Sequence, residues 1–156
     1  MNPALDPLSS EVGLDRPGNE RLRFEFGHAC AQRVRHLLED PVAVECLEAL
    51  GAFLAGGLER SALDDCARRA TLAANRHPGS KSIDGCGHAA VSATYAVANA
   101  VSGKARQAAD YAAYAMVYAG GGYGAVADPA SFAPEHEWQA ACLAGLANSR
   151  RASDPA

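Results

Sequence analysis

Apolar residues recur along most of this chain at steps of three and four, the spacing of one face of an α-helix. Nowhere do they alternate one by one, as a half-buried strand requires. Between Glu20 and Asp40, Leu22, Phe26, Cys30, Val34 and Leu37 form such a stripe, with Arg23, Gln32, Arg33 and Glu39 largely off it. That predicts a first amphipathic helix. Asp40-Pro41 offers a capping carboxylate followed by proline at the first helical position, where its missing N–H is no loss. A second helix is predicted over Pro41 to Leu54, burying Val44, Leu47, Leu50 and Leu54 and stopped by Gly56-Gly57. Ser61, with Asp64 three residues on, resembles a capping box and predicts a third helix to Arg76, closed by His77-Pro78-Gly79.

The middle of the chain is built from alanine. A fourth helix is predicted from Ser82 to Ser102 and a fifth, after Gly103, from Lys104 to Ala119. Gly85, Ala89, Ala93, Ala96 and Ala100 fall in one stripe of the fourth, and Ala105, Ala108, Ala112, Ala115 and Ala119 in one stripe of the fifth. Such small residues let two helix axes approach toward the short end of the ~8–10 Å range. "GGGYGAVADPASF" reads as a loop, and Ala133-Pro134-Glu135 opens a last helix running to Asn148. The expected fold is all-α: a single-domain bundle or compact array of about six helices around a closely packed central helical hairpin. Residues 1–19 are expected to be a flexible leader, 20–148 the helical domain and 149–156 a frayed tail.

Composition narrows the classes of function. A length of 156 residues suits one domain with a real core. Hydrophobic residues make up 49% of the chain, yet mean hydropathy is only -0.12, because alanine supplies much of that share. The net charge of -4 argues against a nucleic-acid partner, which selects clustered Lys and Arg. Ser92, Asn99, Lys104, Arg106 and Asp110 interrupt the richest apolar segment, so no membrane span is expected. The first twenty residues lack the basic start and apolar core of a secretion signal, which points to a cytoplasmic protein. Five cysteines, an odd number, each among apolar neighbours, read as free thiols serving as small buried hydrophobes.

Candidate chemistry is sparse. Cys86 and His88, like His28 and Cys30, are two residues apart on a helix and point to different faces, so neither forms a nucleophile–base pair locally. No paired CxxC and no HExxH occurs. Glu135, His136 and Glu137 sit in the first turn of the last predicted helix, where acids complement the helix dipole. We therefore expect no catalytic residue, no metal and no cofactor. His88, Ser92, Tyr95, Asn99 and Ser102 make a polar stripe beside the alanine seam, and Tyr111, Tyr114 and Tyr118 an aromatic ridge on the next helix. These are either a solvated face edged by tyrosines or a recognition surface. The candidate partner-binding residues are His88, Tyr95, Asn99, Tyr111, Tyr114 and Trp138.

Three segments carry a resemblance: "FGHACAQRVRHLLED", "GHAAVSATYAVANAVSGKARQAADYAAYAM" and "PEHEWQAACLAGL". In this order and separation the chain resembles the Imm-5-like family of bacterial immunity proteins. The matching positions are Cys30, Arg33, Val34, His36 and Leu37, then Gly87, His88, Ala89 and Ala90, then Glu135 to Gln139. The glycine-rich "AGGGYGAVADPASFAPE" and the polar "NRHPGSKSIDGC" depart from the family pattern. The resemblance implies a cytoplasmic protein that neutralises a cognate bacterial toxin by direct binding, and brings no catalytic residues with it. Two other readings stay open. One is a helical bundle, or an enzyme, that holds a metal or small ligand through polar groups near His36 and His88, with His28 as a third contributor. The other is a self-associating domain, a homo-oligomer in which the alanine seam extends between subunits.

Overall fold

The computed structural model of the chain describes residues 1–79 and 81–154. Among these residues there are helices and no strands, packed in one compact array. The helices are α1 (Leu5–Val12), α2 (Glu20–Arg33), α3 (Pro41–Leu54), α4 (Arg60–Arg76), α5 (His88–Val101), α6 (Ala105–Ala127) and α7 (Ala133–Ser153), with 3-10 turns at Pro17–Asn19, Arg35–Leu37 and Pro129–Phe132.

Helix α5 is the axis of the molecule, with ten of its fourteen residues buried. One side meets a core layer of Leu22, Phe26, Val34, Ala93, Ala96, Ala109, Ala112 and Leu143. The other meets a layer of Phe24, Leu47, Leu50, Leu63, Val97, Ala100, Val101 and Ala108. Its contact with α6 is the most extensive in the molecule, which is the central hairpin the alanines predict. Ala93, Ala96, Ala100, Ala108 and Ala115 have no exposed surface, whereas Ala119, the last alanine assigned to the seam, is exposed. Close approach extends to α2 as well: a Cβ on Gly27 would stand 3.2 Å from Ala100 Cα.

Local signals set several boundaries as expected. Asp40 Oδ1 accepts from Val42 N–H at 2.9 Å and α3 runs from Pro41 to Leu54. Helix α4 closes at His77. The Ser61/Asp64 box does not form: α4 begins at Arg60 with no side-chain cap, and Asp64 instead accepts from Arg60 Nε at 3.1 Å. Helix α5 begins six residues later than Ser82, because Gly85 takes φ +84° and Asp84 turns its carboxylate back to the N–H of Cys86.

Three expectations are corrected. The leader is not a loose end. Its Leu5–Val12 stretch is a helix with Leu5 and Leu14 buried, closed by Gly13 in the left-handed region (φ +65°). Asn2, also buried, donates to His136 O (2.9 Å) and to Gln139 Oε1 (3.1 Å), and Gln139 donates to Ala109 O at 2.7 Å. That polar chain straps the segment across α7 and α6. The stretch after Ala119 is not a plain loop either: α6 breaks at Gly121 and Gly122, then resumes to Ala127. The last helix continues to Ser153 rather than fraying after Asn148. Pro155 and Ala156 of the expected tail, and Ser80 of the polar connection, lie outside the described residues. No helix among the described residues is long and apolar enough to cross a membrane.

Candidate functional site

The tyrosines of α6 recur at steps of three and four, so they share one face and cannot all enter the core that the alanines of that helix fill. Tyr111 and Tyr114 are each 37% exposed, and Tyr118 is half-buried between its neighbours. The break at Gly121–Gly122 adds a fourth ring. It turns the chain so that Tyr123 N–H donates to Asp84 O at 2.8 Å and the Tyr123 hydroxyl shares a 2.7 Å hydrogen bond with His88 Nε2. Only glycine fits at the pivot: Gly122 has φ +59°, and a Cβ there would stand 1.9 Å from Asp84 O.

The result is a band of rings in contact across the surface. His88 lies 5.3 Å from Tyr118 and 5.4 Å from Tyr123, centroid to centroid. Tyr118 reaches Tyr114 at 6.3 Å, Tyr114 meets Phe132 edge-on at 5.2 Å, and Phe132 meets His136 at 5.6 Å. These separations fall within the ~4.5–7 Å over which aromatic pairs attract. Beside the far end of the band opens a cleft of about 410 Å³, lined by Met1, Pro3, Tyr114, Val126, Pro129, Phe132 and His136. Burial lowers the tendency of His136 to take a proton below that of an ordinary imidazole, although Asp110 and Glu135 pull the other way.

Of the six candidate residues, His88 and Tyr114 join this band directly. Tyr95 and Tyr111 form a separate stack at 5.1 Å on the same pair of helices, and the Tyr95 hydroxyl donates to Asn75 Oδ1 of α4 at 3.0 Å. Asn99 bends its amide back to Tyr95 O of its own helix at 2.8 Å, so it serves α5. Trp138 belongs elsewhere. The Arg33 guanidinium stacks 4.5 Å above its ring, and Arg33 forks onto Glu135 at 2.6 and 2.9 Å, clamping α2 to α7. Sequence reasoning recognised Tyr118 in the ridge but missed Tyr123, Phe132 and His136. The missing signal was long-range: only the docking of the Gly121–Gly122 pivot on Asp84 brings Tyr123 back beside the ridge.

The histidines considered for a ligand site do not converge with other donors. His36 is exposed on the 3-10 turn after α2, His28 faces Gln32 and Gly51, and His88 engages the two tyrosines. Among the described residues, no group of three or more His, Cys, Asp and Glu side chains is placed to hold a metal ion. The five cysteines are free, with Cys30 and Cys46 fully buried. No family model, curated protein or solved structure matches the chain.

Proposed function

We propose that this chain is a non-catalytic binding protein that neutralises a bacterial protein toxin by docking it on the ring band of α6. The observation that carries this reading is where large apolar surface is left exposed. Of the six such side chains outside the core among the described residues, Tyr111, Tyr114 and Tyr123 all belong to α6, and Tyr114 and Tyr123 lie in the band itself. Tyrosine offers contact area and a hydroxyl with little rotamer entropy to lose, and it is enriched where binding energy concentrates. The rings are also held in place by one another and by His88, so a partner meets a surface already in its bound shape. The toxin as partner comes from the resemblance of the three segments to immunity proteins. The net charge of -4 favours a basic toxin, such as a nuclease, through faster association.

Co-expression with the toxin encoded beside this chain tests the reading. Growth should be rescued, and the purified pair should associate with sub-micromolar affinity. Tyr114→Ala combined with Tyr118→Ala should weaken that affinity at least ~10-fold, while the helical circular-dichroism signal stays at its parental level. If no neighbouring toxin binds, or if the double variant binds as tightly as the parent, the reading is wrong.

A further inference from the structure

We propose that Cys46 of α3 and Cys66 of α4 form a disulfide that staples these two helices together when a peroxide reaches Cys66. Helices α3 and α4 follow each other in the chain and pack along their length. Cys46 Sγ donates to Cys66 O at 3.4 Å, so the buried thiol lies against the Cys66 residue itself. Cys46 is fully buried, whereas Cys66 is partly exposed, so an oxidant in solvent meets Cys66 first. The Arg69 guanidinium favours negative charge on the Cys46 sulfur, while Glu45, bound to Arg69 at 2.9 Å, opposes it.

The chemistry balances in two steps. The Cys66 sulfur attacks a peroxide oxygen: an S–O bond forms, the O–O bond breaks, and Cys66 becomes a sulfenic acid with release of water. The Cys46 sulfur then attacks Cys66 Sγ: the S–S bond forms, the S–O bond breaks, and the departing hydroxide takes the Cys46 proton as a second water. Two thiols lose two electrons in all and one hydrogen peroxide gains them. Burial, aided by the neighbouring Cys66, pushes the Cys46 thiol up to about 12, so it keeps its proton until that second step. The same property makes Cys46 a poor leaving group when an external thiol attacks Cys66. The staple is thus slow to release, a lock rather than a rapid switch.

The test uses the intact chain, fully reduced, treated with hydrogen peroxide and quenched with N-ethylmaleimide. Mass spectrometry should show a species that has lost two alkylatable thiols, and trypsin should release residues 36–60 joined to residues 61–68. The link should form at least ~10-fold faster in the native protein than in urea, because the fold supplies the encounter. Cys66→Ser, at a partly exposed position, should abolish it. Cys46→Ser should leave a sulfenic acid on Cys66 that dimedone captures; should that buried substitution prevent folding, the native-against-urea comparison and the Cys66→Ser result still decide. Over-oxidation of Cys66 in the parent without the link, a link to another cysteine, or equal rates in both states would each overturn the proposal.

Discussion

Glu135 and Arg33 are 102 residues apart in the chain, yet two charge-assisted hydrogen bonds and a tryptophan face join them. The sequence offered Glu135 as an acid for a helix dipole, which it also is; nothing local announces a partner on α2. Glu135→Gln should cost about 1–3 kcal/mol in urea unfolding, because an almost wholly buried acceptor then loses its ionic strength. Arg33→Lys should lose part of the same energy, keeping the charge but not the fork or the stacking. Among the positions that carry the resemblance, Arg33, Glu135 and Gln139 thus tie helices together, whereas His88 and His136 belong to the ring band. Burial also depresses proton uptake by His28 and His136. Unfolding frees both imidazoles to bind protons, so stability is fully present above the ordinary imidazole range, near ~6.5, and is lost as pH falls through the lower folded values. The melting temperature should therefore drop between pH 7 and pH 5, and His28→Gln with His136→Gln should flatten that slope.

Among the helices, the boundaries written in neighbouring residues were legible: Asp40-Pro41 opens α3 and Ala133-Pro134 opens α7 as expected. Helix α1 had its signals too, with Leu5, Leu8 and Val12 on one face, Pro7 in the first turn and Gly13 at the end, but the prolines and polar residues around it masked them. The course of α6 was not legible, since three successive glycines say only that regular structure is expensive and not where the chain turns. Gly122→Ala should lower stability by at least ~2 kcal/mol, its methyl meeting the Asp84 backbone, and should loosen Tyr123. Gly120→Ala and Gly124→Ala have open space around the new methyl and should be neutral, or stabilising by up to ~1 kcal/mol. In the hairpin, Ala93→Leu should overpack the α5–α6 seam at a cost of about 1–3 kcal/mol, measured by denaturant unfolding.

Taken whole, the molecule is two core layers on either side of α5, sealed by a segment expected to be loose. The all-α class follows from apolar residues at steps of three and four with no alternation, and the central hairpin from alanine spacing, because close approach of helices needs small side chains at the right period. The strap does not follow, because the partners of Asn2 lie on α7, more than a hundred residues along the chain, where no local signal announces them. Leu14→Ala should cost about 2–5 kcal/mol, where a flexible leader would show almost no change. The strap also sets an order of events during synthesis. Segments α2 to α5 can begin to consolidate as they emerge from a ribosome, but the surface that receives Asn2 is translated more than a hundred residues after it. This stretch is made long before the surface that seats it, so a nascent chain stalled before α7 should leave Leu5 and Leu14 open to chaperones and proteases.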